Sequence, residues 1–313
     1  MKVGLMIEGQ EDVTWEDWQA LASACEAHGV ETLFRSDHYL SVMGQHQRGS
    51  LDAWATLSAL AAVTSTLRLG TLVSPATFRH PSELAKVVTT VDHVSGGGRV
   101  ELGLGTGWNE AEHAAYGFPF PAMGERMDRF AEQLELIPRQ WAGEPVSFQG
   151  DHYRTHDLDA RPKPLQRPHL IVGGRGGPRS IRLAARFADE YNTVNKTTEQ
   201  CAAIRAQLDE ACGREGREPI PLSLMTGWLT GADEAELLER AGRLAEWQGE
   251  DGDPETFLAD QRDSSLAGTL DENIERLREL EAAGVERVMA QHLMHRELGT
   301  VEQLGRVVAP AVA

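Results

Sequence analysis

The chain has 313 residues, about twice an ordinary domain; its 41% hydrophobic, 25% charged and 6% aromatic content fits a globular fold and excludes a disordered or fibrous one. A formal net charge of −18 repels nucleic acid and anionic membranes, and no run of roughly 18 apolar residues offers a membrane span or signal peptide, so a cytoplasmic protein is expected. Cys25, Cys201 and Cys212 are odd in number and lack metal-ligand spacing, which predicts reduced, packed thiols and no metal site.

Short β-rich runs then alternate with amphipathic helical stretches. Lys2–Ile7 reads as a first strand, stopped by Glu8, and a helix over 15–27 follows, with Thr14 placed to cap it and Gly29 to end it. Strands over 32–35, 67–73 and 99–104 lead into helices over 52–63, 81–94 and 123–141. Strands over 169–172, 190–194 and 221–229 lead into helices over 178–187, 199–212 and 234–247, with Pro178 suited to a first helical position. A helix over 271–283 precedes an eighth strand over 287–291. No Pro/Gly/Ser linker divides the series, which predicts one closed (β/α)8 TIM barrel over residues 1–313; two doubly wound domains are the competing arrangement. Two connections are long insertions, after strands 4 and 7: 105–168, with a hairpin-like segment at 146–153, and the acidic 231–268. Long loops at a barrel mouth shape or cover a substrate site.

The barrel mouth lies at the carboxyl ends of the strands, and the candidate residues fall there. The second strand ends in Arg35-Ser36-Asp37-His38. A histidine at that depth can pass a proton near neutral pH and an adjacent aspartate can orient it; a helix cap and a loop hydrogen bond are the plain alternatives. Gly103, Gly105 and Gly107 alternate at the fourth strand end, permitting a tight turn and exposing backbone N–H groups to an anion or ring edge. The same string is similar to the glycine-rich motif of Rossmann-like methyltransferases, but it follows the fourth strand of an unbroken series rather than the first. Gly173-Gly174-Arg175-Gly176-Gly177 opens a helix and so reads as a phosphate site. It lies in a stretch from Arg161 to Arg186 that holds seven basic residues and no acidic one. Glu8 and Trp108 are candidate walls of the substrate pocket, with a solvated carboxylate and ordinary packing as their alternatives. His292 and His295 lack a nearby carboxylate in sequence and are not expected to hold a metal.

Taken in order, Ser36-Asp37-His38, Arg79-His80-Pro81, Asp92-His93-Val94-Ser95-Gly96-Gly97-Gly98-Arg99, Gly103-Leu104-Gly105-Thr106-Gly107-Trp108, Gly150-Asp151-His152-Tyr153 and Gly173-Gly174 carry a resemblance over nearly the whole chain. The sequence resembles the bacterial luciferase-like monooxygenase superfamily, which includes the coenzyme F420-dependent oxidoreductases. The resemblance implies a barrel holding a deazaflavin or flavin in its mouth, with a non-proline cis peptide at Val73-Ser74, Thr106 and Gly107 beside the cofactor, and Gly173 to Gly177 on its phosphate. It implies His38 as proton donor or acceptor and Asp37 at the reactive edge of the ring, tuning or orienting that histidine. The relatives that oxidise glucose 6-phosphate carry Glu where this chain has Trp108, so reduction of an organic substrate is expected as readily as sugar-phosphate oxidation. F420, a hydride carrier with a long anionic tail, is the expected cofactor; FMN-dependent oxygenation is the alternative, and a non-catalytic flavin-binding homologue the third reading. The expected partners are a small-molecule substrate and, by analogy with the superfamily, a second copy of the chain in a homodimer.

Overall fold

In the computed structural model every residue is described except His46 and Asp251, together with the side chain of Asp263. Eight parallel strands form the ring: β1 (Lys2–Ile7), β2 (Thr32–Arg35), β3 (Arg68–Pro75), β4 (Val100–Gly105), β7 (His169–Gly173), β8 (Glu190–Val194), β9 (Leu222–Gly231) and β11 (Arg287–Gln291). Pairing of β8 with β9 closes it. The fold is therefore the expected TIM barrel, and the doubly wound alternative is excluded. The insertion after β4 carries α4 (Glu110–Tyr116), α5 (Met123–Trp141) and an antiparallel hairpin of β5 (Val146–Gln149) and β6 (Arg154–Leu158). The insertion after β9 carries α8 (Glu234–Gln248), α9 (Pro254–Ser264) and a short strand, β10 (Leu266–Thr269), which pairs with the upper end of β9. Among the described residues no helix is long and apolar enough to cross a membrane.

Local chemistry sets the helix boundaries. Thr14 and Asp17 form a reciprocal capping box on α1 (Trp15–His28), and Gly29 closes it at φ 80°. Between strands and helices lies the main core, where Trp18, Leu57, Val88, Phe130 and Leu208 are buried. Inside the ring Met6, Phe34, Leu72, Ile171 and Met289 fill the barrel. The thiols of Cys25, Cys201 and Cys212 are free and buried; burial pushes Cys25 up to about 12 and Cys201 up to about 11, as expected of inert packed cysteines.

Charged side chains plug the amino ends of the strands. Arg287 Nη1 donates to Glu101 Oε2 (2.9 Å) and Glu190 Oε2 (3.2 Å), Arg68 Nε donates to Glu101 Oε1 (2.7 Å), and His169 Nε2 lies 3.1 Å from Glu190 Oε2. Burial would raise the Glu101 carboxyl, but the two guanidinium groups outweigh it and hold it below the usual range. Ligand atoms of Glu101, His169 and Glu190 lie within 4.8 Å of one another, a spacing that could hold a metal ion. The Arg287 guanidinium already bridges both carboxylates and supplies the positive charge.

At the other end two of the alternating glycines, Gly103 and Gly105, have a packing role. The peptide bond between Leu72 and Val73 is cis, one residue before the Val73-Ser74 position expected. The pairing of β3 with β4 slips between Thr71 and Ser74, so that consecutive side chains part company. Ser74 turns outward to the Trp54 indole, while Val73 sits among three glycines of the neighbouring strands. A Cβ would lie 3.0 Å from Val73 Cγ1 at Gly103, 2.7 Å from Cγ2 at Gly105 and 2.8 Å from Cγ1 at Gly173. Replacing Gly105 by Ala is expected to destabilise the fold by about 1–3 kcal/mol through overpacking against Val73. Gly143→Ala, where a Cβ meets nothing within 4 Å, serves as a neutral control in urea unfolding.

Candidate active site

The end of β2 brings four polar side chains to the mouth, and each has a different fate. Arg35 is fully buried, donating from Nε to the Ser36 carbonyl (3.1 Å) and from Nη2 to the Leu51 carbonyl (2.9 Å); burial lowers its guanidinium to about 10. Ser36 Oγ accepts from the Gly9 amide at 3.0 Å. Asp37 is gripped from the next strand. Its Oδ2 accepts from Ser74 Oγ (2.7 Å) and Arg79 Nη1 (2.5 Å), while Arg79 also reaches Asp52 (2.9 Å) and the Tyr39 hydroxyl (3.1 Å). Asp37 therefore fixes the start of the β2 loop against Arg79.

The partner of His38 is Glu112, not Asp37. His38 Nδ1 lies 2.8 Å from Glu112 Oε2, and the other carboxylate oxygen accepts from the backbone N–H groups of Tyr39 and Leu40, the latter at 3.1 Å. Burial would lower the imidazole, but the hydrogen bond and charge of Glu112 prevail, aided by the charges of Glu8 and Asp37, and the ring is held above the ordinary histidine range. Burial likewise works against the Glu112 carboxylate, and His38 with the two backbone donors holds it below the usual range. Because Nδ1–H donates to a carboxylate, Nε2 is the nitrogen left to exchange a proton.

Glu112 reaches this position from α4, whose first turn it occupies. Asn109 caps that helix, its Oδ1 accepting from the Glu112 amide at 3.3 Å, and Gly117 ends it at φ 71°. Side chains in a helix lean toward its amino end, which directs Glu112 back to the barrel mouth. The bracketing residues Asn109 and Gly117 are the signal by which this short helix, and with it Glu112, is found in the sequence. His113 faces the other way, its Nε2 2.7 Å from Thr77 Oγ1.

The other expected site residues divide. Trp108 is 59% exposed and stands edge-on to His38 with ring centroids 5.5 Å apart, so it borders the mouth. Val73 forms the mouth floor in its glycine seat, Thr106 is half-buried and Gly107 adopts φ 78°. Ser74 is fully buried between Asp37, Trp54 and Thr71, so its hydroxyl is committed within the protein. Glu8 is 7% exposed rather than solvated. Overhead, Glu11 accepts from Ser41 Oγ (2.8 Å), the Val42 amide (2.9 Å) and Arg48 Nη1 (2.9 Å). The Arg48 guanidinium lies over the Trp247 ring at 3.9 Å, joining the β2 loop to the end of α8.

Gly173 to Gly177 link β7 to α6 (Pro178–Phe187), which has no side-chain cap. The Gly176 amide, at φ 83°, donates to the Tyr191 hydroxyl (2.9 Å), and that of Gly174 donates to the Asn192 carbonyl (2.9 Å). Arg175 is exposed beside the loop. The basic stretch around it is not one patch. Arg167 precedes β7 and binds Asp189 (2.7 Å) at the opposite end of the barrel, and Arg161 and Lys163 bind Asp159. Arg186 ends α6 against Phe187. Arg175 and Arg179 are left at the mouth end, and Arg179 is paired with Asp128 of α5. Spacing in sequence gathered charges that the strand and helix then carry apart.

Comparison with known proteins accords with this geometry. An F420-dependent glucose-6-phosphate dehydrogenase of Nakamurella multipartita is 37% identical over 178 residues, 56% of this chain and 51% of that protein. An FMNH2-dependent dimethylsulfone monooxygenase of Pseudomonas putida is 31% identical over 214 residues, 66% of this chain and 56% of that protein. The chain thus spans little more than half the length of either relative. Among solved structures, an F420-dependent secondary alcohol dehydrogenase in complex with an F420–acetone adduct superposes with a TM-score of 0.83 at 20% identity, over 100% of this chain and 99% of that one. The family model for luciferase-like monooxygenases matches residues 1–309, and the chain belongs to that family.

Proposed function

We propose that the protein is an F420-dependent oxidoreductase that moves a hydride between the deazaflavin and a small organic substrate. The observation that carries this reading is the pair of His38 and Glu112 at 2.8 Å on the loop that follows β2 at the barrel mouth: a proton-handling group whose tautomer is fixed, at the end of the barrel where a redox ring would lie. The residues present fit such a cofactor. Val73, Thr106 and Gly107 would bear on the ring side, and the uncapped start of α6 with Gly173 to Gly177 and Arg175 would hold the phosphate. When bound, F420 supplies a two-electron hydride site; the protein supplies position and proton.

In this reading His38 Nε2 gives a proton to, or takes one from, the substrate oxygen. Glu112 keeps the opposite nitrogen protonated and steadies the imidazolium. Trp108 and the β2 loop, tied down through Glu11 and Arg48, exclude water from that exchange. An FMN-dependent monooxygenase is the second reading, supported by the Pseudomonas putida relative. It gains weight from the dispersal of the basic stretch, which leaves few cations for a long anionic tail.

Fluorescence titration of the purified protein with F420 and with FMN decides between them: saturable binding of F420 in preference to FMN is expected, and the reverse preference would overturn the reading. His38→Ala should lower turnover by about 10²–10⁴-fold on any substrate the wild type accepts while leaving F420 affinity nearly unchanged. Glu112→Gln should bring the His38 titration, followed by NMR, down, because burial is then opposed only by the charges of Glu8 and Asp37. The raised pKa of folded His38 makes its contribution complete below about pH 6.5 and lost as pH rises through the folded value, while the lowered Glu112 carboxyl contributes above its ordinary range and loses that contribution as pH falls. Glu112→Gln should flatten that dependence in urea unfolding measured across the range.

A further inference from the structure

Among the described residues seven acidic side chains are buried: Glu8, Glu11, Asp37, Asp92, Glu101, Glu112 and Glu190. Burying a carboxylate is costly unless charge or several donors compensate it. Six are compensated in this way. Glu11 has Arg48, Asp37 has Arg79, Glu101 has Arg68 and Arg287, Glu112 has His38, and Glu190 has Arg287. Asp92 has the backbone N–H groups of Gly98, Leu165 and Gln166.

Glu8 alone is met only by neutral side-chain amides, Gln10 Nε2 on Oε2 (2.8 Å) and Gln291 Nε2 on Oε1 (2.5 Å). Two donors leave about half of a carboxylate's acceptor positions unused. The amide of Gln10 is held in place, since its oxygen accepts from Ser36 Oγ. Glu8 follows the last residue of β1, where Ile7 is in register with Arg35 of β2, and its charge acts on the His38 ring. Of the neighbouring cations, Arg48 is paired with Glu11, while Arg35, whose charge is felt by Glu8, directs its hydrogen bonds away from it to the carbonyl oxygens of Ser36 and Leu51.

We propose that Glu8 is the substrate anchor and sets the substrate class: a molecule without negative charge that donates a hydrogen bond from a hydroxyl or amino group near the atom served by His38. The unused lone pairs take that donor. A phosphate or carboxylate on this side of the mouth would face Glu8, with the Arg35 donors committed to carbonyl oxygens and Arg48 to Glu11, and is rejected. This inference rests on the mouth being the reaction site as proposed above, and it assigns the recognition of substrate, not of cofactor.

Three aromatic probes of one size test it: benzylamine, benzyl alcohol and benzoate, ranked by saturation-transfer NMR on the F420-loaded protein and on the same protein without cofactor. Benzylamine and benzyl alcohol should bind in preference to benzoate by at least about tenfold, and Glu8→Gln should bring the three within about threefold of one another. Equal binding of the three probes to the wild type, preference for benzoate, no binding of any probe, or a preference that survives Glu8→Gln would overturn the inference. The F420 titration of the same sample separates the two failures: saturable F420 binding without probe preference defeats the anchor alone, and absence of F420 binding defeats the reading beneath it.

Discussion

The seat of one valine governs the mouth. Val73 stands in the ring because three glycines, two from β4 and one from β7, leave it room, and because the slip between β3 and β4 turns it inward. The same slip sends Ser74 outward, where its hydroxyl binds Asp37 and receives the Trp54 indole N–H. Asp37 in turn holds Arg79, which reaches Tyr39 and Asp52 and so secures the loop that carries His38. A packing constraint in the floor is thus continuous with the polar scaffold of the wall, and His38 owes its place to both.

Much of this was legible in the sequence because parallel strands buried on both faces leave compact apolar runs, and the eight ring strands showed themselves in that way. β10 escaped because its four residues, Leu266 to Thr269, carry no periodicity of their own and form a strand only by adding to β9. Alternating Gly103 and Gly105 left room beside β4, yet what fills it is Val73 of the adjacent strand β3, which spacing along one strand does not reveal. The cis bond was placed one position late for a related reason: the slip that decides which residue faces inward belongs to the pairing and not to either strand.

Charge reading failed where residues act across space. The glycine loop before α6 stands where its composition placed it. The seven basic residues around it were counted as one island, whereas a strand and a helix carry them to opposite ends of the barrel. The partner of His38 was sought at Asp37, next in sequence, and found at Glu112, 74 positions on. Adjacent residues on an extended segment point apart, while a carboxylate at the first turn of a distant helix can be aimed at the ring; contact follows from direction rather than from proximity along the chain.

The link from Glu11 through Arg48 to Trp247 joins parts of the mouth that the chain supplies far apart. Glu11 belongs to the first loop of the barrel, Arg48 to the second and Trp247 to the insertion after β9, so three separate stretches share one fastening. Both ionic partners are largely withdrawn from water, and dissolved ions screen such a pair weakly. Ordinary changes in ionic strength therefore scarcely reach this fastening of the mouth, while loss of the single Arg48 side chain would unfasten all three stretches at once.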